Sequence, residues 1–149
     1  MSLEVQIMSQ IKEAMKAKNT IALEALRAIK SELLLAKTSG TGEELSESQE
    51  TALLQKLVKQ RKEAAEQFKA NDRTELEEKE LAQAEIIMQF LPKQLTAQEL
   101  EVMIKEIIAE VGATSPKDMG KVMGVASAKL AGKAEGKLIS EKVKELLNQ

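Results

Sequence analysis

The residue types that most enzymes use for acid–base and nucleophilic chemistry are missing from this sequence. It contains no His and no Cys, which excludes an imidazole base, a serine triad of the usual kind, a thiol nucleophile and zinc sites built on either residue. Only Ser, Thr, Lys and carboxylates remain, and an enzyme can be built from them. From these we predict no catalytic residue, no cofactor site and no metal site.

Two short segments match enzyme motifs by chance. Ser9-Gln10-Ile11-Lys12 fits the S-x-x-K motif of penicillin-binding enzymes, but the companion motifs are absent and Ile11 belongs to a hydrophobic stripe. Gly132-Lys133-Ala134-Glu135-Gly136-Lys137 is close to a phosphate-binding loop. A Walker A motif needs four residues between its glycines and Ser or Thr after the lysine, whereas this segment has three residues and Leu138. We reject both motifs.

The composition predicts a globular protein with an aliphatic core. Of the 149 residues 43% are hydrophobic, and Phe68 and Phe90 are the two aromatic ones. Charged residues make up 31% with a net charge of −2, which excludes a globally basic nucleic-acid binder but allows a local basic patch. The sequence shows no long apolar run, no signal-peptide pattern and no Cys, so we expect a cytoplasmic protein that does not bind membranes.

Hydrophobic spacing and capping residues predict an all-α fold. Ser2 precedes a first helix in which Leu3, Ile7, Ile11 and Met15 recur every four residues. Asn19 precedes a second helix, whose core face is Ala22, Ala25, Leu26, Ile29 and Leu33. Residues 38–42 are expected to form a loop. Ser46 and Gln49 form a capping box for a third helix that ends at Asn71-Asp72, and a fourth runs over 74–91 until Pro92 stops it.

Three more helices are predicted after a short linker. Thr96 and Glu99 form a second capping box, for a helix that ends near Gly112. Ser115-Pro116 begins a helix that reaches about Leu130, residues 132–136 form a turn, and Ser140 caps a last helix. We therefore predict a domain of helical hairpins over residues 1–93, followed by a small helical bundle over residues 96–149.

Arg61 lies in the middle of the apolar face of the third predicted helix. An unpaired buried guanidinium is unfavourable, so it should find a carboxylate. In an antiparallel hairpin of the third and fourth helices, Glu80 lies at about the right height, and we predict a structural ion pair between the two. The alternative is that Arg61 binds an anionic ligand.

The helix over 116–130 carries the clearest functional pattern. Its core stripe is Met119, Val122, Met123, Ala126 and Leu130. Beside that stripe runs a second stripe of small residues, and Lys117 and Lys121 share a further face. The small residues are Gly120, Gly124, Ser127 and Ala131. Each glycine inside a helix costs about 1 kcal/mol relative to Ala, so the pair is expected to permit a close approach. The approaching group is either a neighbouring helix or a nucleic-acid backbone.

Charge favours the nucleic acid. Residues 117–137 contain five lysines and two carboxylates, a local net charge of +3. The lysines are Lys117, Lys121, Lys129, Lys133 and Lys137, and the carboxylates are Asp118 and Glu135. The C-terminal part has no aromatic residue on which bases of a single strand could stack. Any RNA that it binds should be folded and recognised through its backbone and shape.

Several segments resemble the YqeY family. They are 111–115, 118–124, 129–137, 59–64 and 90–95, together with Glu85, and the resemblance covers most of the chain. The most specific are Met-Gly-Lys-Val-Met-Gly at 119–124 and Gly-Lys-Ala-Glu-Gly at 132–136. That family has a helical N-terminal domain joined to a part similar to the tail domain of the B subunit of tRNA-dependent amidotransferases. Ala131 departs from the pattern, since relatives often carry Lys there.

The resemblance implies a role in tRNA binding, since the amidotransferase tail domain engages the body of the tRNA while the chemistry takes place elsewhere. Together with the charge pattern, it gives these candidate nucleic-acid-binding residues: Gly120, Lys121, Gly124, Lys129, Gly132, Lys133, Gly136 and Lys137. The preferred function is a non-catalytic tRNA-binding accessory protein, whose partners are tRNA and a tRNA-modifying or aminoacylating enzyme. One alternative is a helical protein–protein adaptor. The other is a carbon–nitrogen ligase with glutamine as amido donor, for which the sequence shows neither an ATP motif nor an ammonia source.

Overall fold

The computed structural model describes residues 2–40 and 44–148, which fold into helices joined by short turns. Within these ranges there are seven α-helices, one short 3₁₀ turn and no strand. The elements are α1 (Leu3–Ala17), α2 (Thr20–Ser39), α3 (Glu47–Ala70), α4 (Thr74–Met88), α5 (Ala97–Val111), the 3₁₀ turn (Pro116–Asp118), α6 (Met119–Lys129) and α7 (Gly136–Leu147). The predicted all-α class is confirmed.

The helices group into two compact units, Met1–Leu91 and Pro92–Gln149. The N-terminal unit contains α1–α4, and its buried core is Leu3, Ile7, Ala14, Ala22, Ala25, Leu26, Ile29, Leu33, Leu54, Leu57, Val58, Ala84 and Ile87. The C-terminal unit contains α5–α7, and its buried core is Leu100, Ile104, Ile107, Val122, Ala126, Leu130, Ala134, Ile139, Val143 and Leu147. Both cores are aliphatic, as the composition predicts.

The predicted N-caps are confirmed at the first three helices. The Ser2 and Asn19 side chains accept hydrogen bonds from backbone N–H groups in the first turns of α1 and α2. At α3 the capping box is reciprocal: the Gln49 N–H donates to Ser46 Oγ at 3.1 Å, and the Ser46 N–H donates to Gln49 Oε1 at 2.8 Å. These bonds satisfy N–H groups that have no partner inside a helix, which is why they mark helix starts.

The two helix ends of α5 also match the prediction. Thr96 and Glu99 form the second capping box, with the Glu99 N–H donating to Thr96 Oγ1 at 3.1 Å. The accepting Glu99 carboxylate has a pKa below its usual value, chiefly because the Thr96 backbone N–H donates to it. Gly112 ends the helix in the left-handed region, at φ 70°, where glycine is strongly favoured.

The predicted hydrophobic stripe of α1 is correct at its start and wrong at its end. Leu3 and Ile7 are buried, Ile11 is half-buried, but Met15 is exposed and Ala14 is buried instead. A residue every four positions drifts by about 40° per step on a helix of 3.6 residues per turn. By Met15 the stripe has therefore rotated away from the core.

Two predicted boundaries shift. The expected loop at 38–42 begins later, because Thr38 remains helical and its Oγ1 donates to the carbonyl of Leu34 at 3.0 Å; Thr41 and Gly42 lie outside the described residues. Helix α4 ends at Met88 rather than at residue 91. Its continuation tightens into i→i+3 hydrogen bonds that run up to Pro92, since the residue before a proline disfavours α geometry.

Ser140 does not cap the last helix. Helix α7 begins five residues earlier than predicted, with Glu135 as the residue before it, and Ser140 lies inside the helix. The turn that precedes α7 is tight, because the Lys133 N–H donates to the Leu130 carbonyl at 2.9 Å. The chain can therefore resume helical geometry by Gly136.

Arg61 does not form the predicted ion pair with Glu80. Its Nε donates to Gln83 Oε1 at 3.3 Å, and a terminal guanidinium nitrogen donates to the Leu57 carbonyl at 3.5 Å. Arg61 and Gln83 are equidistant from Asp72 at the tip of the α3–α4 hairpin, so antiparallel pairing brings them level. Glu80 lies about one helical turn nearer the tip. The prediction was wrong because it placed the hairpin register one turn off.

The fold predicts that two aliphatic side chains of α2 contribute very differently to the free energy of unfolding. Ile29 is 0% exposed and Leu34 is 61% exposed. We expect Ile29→Ala to lower the free energy of unfolding of the N-terminal unit by about 2–5 kcal/mol, because it removes buried methyl groups and leaves a cavity. Leu34→Ala, the matched control, should change it by less than about 0.5 kcal/mol. Urea unfolding of the two variants measures both values, and equal effects would contradict the core assignment.

Candidate nucleic-acid interface

The entry into α6 is fixed by the Asp118 carboxylate. Its Oδ2 accepts hydrogen bonds from the backbone N–H groups of Thr114 at 3.0 Å and Ser115 at 3.4 Å. These bonds lower the pKa of the Asp118 carboxyl below its ordinary 3.8, with the Thr114 bond as the largest cause and the nearby Lys121 charge as a smaller one. The ionised carboxylate therefore stabilises the 3₁₀ turn that directly precedes α6.

Helix α6 buries one face and exposes a face of small residues. Val122 and Ala126 are buried and followed by Leu130, while Met119 and Met123 are half-buried against the same core, as the predicted core stripe requires. The adjacent side, which we call the small-residue face, consists of Gly120, Gly124, Ser127 and Ala128, all exposed. Ala131, which the sequence pattern included, lies beyond the end of α6. Ala128 was not singled out from the sequence, although helical spacing places it there.

The two glycines of the small-residue face have open space above them. A Cβ atom built on Gly120 or on Gly124 would meet no other atom within 4 Å. No neighbouring helix among the described residues fills this face, so the close approach that the glycines permit is not used inside the chain. The face is accessible to a group from another molecule.

The candidate lysines divide into paired and unpaired ones. Lys129 Nζ lies 2.7 Å from Glu110 Oε2 on α5, so its charge is balanced within the unit. Lys121, Lys133 and Lys137 are exposed, and no carboxylate lies within 4.0 Å of their ammonium groups among the described residues. Lys121 adjoins Gly120 on α6, and Lys137 is in the first turn of α7. The structure thus sets Lys129 apart from the other three.

Gly132 has a structural role. It is buried and lies at φ 78°, in the left-handed region, and its carbonyl accepts a hydrogen bond from Gln94 Nε2 at 2.7 Å. The Leu95 N–H also donates to the Lys133 carbonyl at 2.9 Å. These two bonds tie residues 94–95 to the turn and orient the exposed Lys133. The role of Gln94 was missed because its partner is distant in the sequence.

Helix α7 begins without a side-chain cap. Glu135 precedes it in extended geometry and makes no side-chain capping bond, and Gly136 and Lys137 are exposed in the first turn. A helix start presents backbone N–H groups and a partial positive charge. Lys133 and Lys137 flank this start, and the Glu135 carboxylate directly precedes it.

A family model described as "Yqey-like protein" matches residues 4–147. The chain belongs to the YqeY family. The match runs through both units.

Two curated relatives of this YqeY protein share one name, altered inheritance of mitochondria protein 41, mitochondrial. The relative from Pyrenophora tritici-repentis (strain Pt-1C-BFP) is 28% identical over 146 residues, which cover 95% of this chain and 79% of the relative. The relative from Lachancea thermotolerans (strain ATCC 56472 / CBS 6340 / NRRL Y-8284) is 30% identical over 108 residues, 71% of this chain and 58% of the relative. Both names assign those proteins to mitochondria.

None of the described helices is both long and apolar enough to cross a bilayer. In the same residues no group of three or more carboxylates is placed to hold a metal ion.

The open space above Gly124 predicts that a methyl group there is stabilising. Gly124→Ala should raise the free energy of unfolding by about 0.5–1 kcal/mol, because it improves helix propensity and meets no atom. The reverse change on the same face, Ala128→Gly, should lower it by a similar amount. Thermal unfolding of both variants tests this pair, and a destabilising Gly124→Ala would show that the face is occupied within the protein.

The Asp118 hydrogen bonds predict a pH-dependent contribution to stability. Because the folded-state pKa is lowered, this contribution is present above the unfolded value of 3.8 and is lost as the pH falls through the folded value. Asp118→Asn should therefore unfold at a lower temperature than the parent at pH 7, and the difference should shrink at pH 3. Glu106→Gln, at an exposed residue of α5, serves as control and should leave the midpoint unchanged at pH 7. A difference that grows on acidification would contradict this role.

Proposed function

We propose that this YqeY protein is a non-catalytic RNA-binding accessory protein, with tRNA as its ligand. The observation that carries the proposal is the small-residue face, where Gly120 and Gly124 leave open space on an exposed helix. Glycines in a helix lower its stability. A Cβ atom at either glycine would meet none of the residues that the structure describes. A bulky partner that must lie close to the backbone of α6 accounts for glycine at these positions.

The placement of the unpaired lysines supports an extended anion. Lys121 is near the start of α6, and Lys133 and Lys137 follow its end. At 1.5 Å per residue, the helix separates Lys121 from Leu130 by about 13 Å. A duplex strand carries one phosphate per 3.4 Å of axis, so this separation spans several phosphates. Such a spacing suits a nucleic-acid backbone better than a single small anion.

The composition of the C-terminal unit favours a folded RNA. Its residues include no Phe, Tyr or Trp, so bases of a single strand have no aromatic surface on which to stack. The wide, shallow minor groove of an RNA helix is recognised through shape, phosphates and 2′-hydroxyls. An exposed face of Gly, Ser and Ala with Lys121 beside it on the same helix has the matching chemistry.

The resemblance of the C-terminal unit to the amidotransferase tail domain selects tRNA among folded RNAs. In this proposal Lys121, Lys133 and Lys137 contact phosphates, while Gly120 and Gly124 allow the approach. Lys129 and Gly132 are left out, because one is paired with Glu110 and the other is buried. A tRNA-modifying or aminoacylating enzyme would carry out the chemistry. We propose that this protein binds tRNA in the cytoplasm.

A helical protein–protein adaptor is the second candidate function. It is favoured by the exposed leucines of α2, Leu34 and Leu35, which are 61% and 60% exposed. Adjacent apolar side chains on a surface are typical of protein-binding sites. An adaptor of this kind would hold its partner through apolar contacts on the N-terminal unit, and high salt would not release the partner.

Reversing the three unpaired charges tests the RNA proposal. We expect Lys121→Glu/Lys133→Glu/Lys137→Glu to weaken tRNA binding by about a hundredfold or more at low salt. It should also reduce the slope of log K against log salt by about 2–3, since each lost phosphate contact accounts for about 0.9. Titrations of a labelled tRNA at several salt concentrations measure both quantities.

The matched control reverses three exposed lysines of the N-terminal unit. Lys12→Glu/Lys30→Glu/Lys56→Glu makes the same change in net charge and should keep most of the affinity. A second variant, Gly120→Leu/Gly124→Leu, should weaken binding by steric exclusion while its circular dichroism stays helical. If the first triple variant keeps the parent affinity, or if both triple variants lose it equally, the assigned surface is wrong.

A further inference from the structure

Gln83 on α4 is a buried amide with a charged residue at each end. It is 6% exposed. Its Oε1 accepts a hydrogen bond from Arg61 Nε on α3 at 3.3 Å, and its Nε2 donates to Glu24 Oε2 on α2 at 2.8 Å. The same Glu24 oxygen lies 3.1 Å from Lys79 Nζ. Three helices are therefore joined by one buried side chain.

We propose that Arg61, Gln83 and Glu24 form a polar latch that fixes the position of α2 on the α3–α4 hairpin. The amide is polarised in one direction, with its oxygen towards the guanidinium and its nitrogen towards the carboxylate. Hydrogen bonds aligned in a row polarise one another, and here the buried amide of Gln83 lies between the half-buried Arg61 and the exposed Glu24. The Glu24 charge thereby stabilises Arg61, although the two side chains are bridged by Gln83 rather than in contact.

The apolar part of the interface does not specify this position by itself. The face that α2 buries consists of alanines, leucines and an isoleucine, namely Ala22, Ala25, Leu26, Ile29 and Leu33. Aliphatic side chains that repeat along a helix tolerate a shift of one turn, because similar side chains then meet. A buried polar contact is lost in such a shift, and single polar residues in this role set the register of helical coiled coils.

The latch predicts a specific response to an isosteric charge change. Gln83→Glu keeps the side-chain size and the contact with Arg61 but places two carboxylates against each other at Glu24. We expect hydrogen exchange of the α2 amides to accelerate by about fivefold at pH 7, which corresponds to about 1 kcal/mol. In the double variant Gln83→Glu/Glu24→Gln the donor and acceptor are exchanged, and protection of α2 should return to within about twofold of the parent value. Mass spectrometry of the full chain reads these rates peptide by peptide.

A second measurement tests whether Arg61 acts on α2 through the amide. Arg61→Met should accelerate α2 exchange in the parent, and it should have no further effect once Gln83→Met has removed the hydrogen bonds. The control is Glu13→Ala on α1, an exposed carboxylate whose effect on α2 should be the same in both backgrounds. The latch is disproved if Gln83→Glu leaves α2 exchange unchanged, if the double variant is not rescued, or if Arg61→Met acts equally with and without Gln83.

Discussion

Burial of aliphatic side chains between helices is the interaction on which both units depend. With two aromatic residues in the whole chain, there are few large side chains to dominate either core. Each core is instead assembled from many Leu, Ile, Val and Ala residues, each contributing a few kcal/mol at most. An isolated helix of 11 to 24 residues, the range seen here, is marginally stable in water. The helices therefore persist because each buries a stripe against its neighbours.

In the C-terminal unit this burial uses one side of α6, and the small-residue face of the same helix stays exposed. The stripe through Val122 and Ala126 holds the helix, and the hydrogen bonds of Asp118 and Gln94 fix the segments at its two ends. The small-residue face consequently lies on a well-supported helix although it contributes no packing. An exposed surface of Gly, Ser and Ala loses little side-chain entropy when a partner binds, because these side chains are short.

Gln83 is the buried polar side chain among the described residues of the N-terminal unit, and its hydrogen bonds depend on the exact position of α2. Apolar contacts are strong in sum, and they tolerate exchanges between side chains of similar volume. Gln83 is less tolerant, because its amide has a donor end and an acceptor end and both are occupied. The Lys37–Glu4 pair makes a second polar connection, between the end of α2 and the start of α1.

The sequence by itself determined the helical class, the caps at Ser2, Asn19, Ser46 and Thr96, and the buried stripes of α2 and α6. These follow from interactions within a few residues, namely capping hydrogen bonds and helical periodicity. It also indicated the glycine and lysine pattern of α6. What it could not give was the partner of each side chain once the helices packed.

Only the tertiary structure decided that Arg61 meets Gln83 and not Glu80, that Lys129 pairs with Glu110, and that Gly132 is buried. Each outcome depends on the register or the turn that brings distant segments together. A shift of one helical turn changes every such partner, while the periodic pattern of apolar residues stays almost the same. Local patterns therefore define the helices, and the packing of those helices selects which polar and charged groups are paired and which face the solvent.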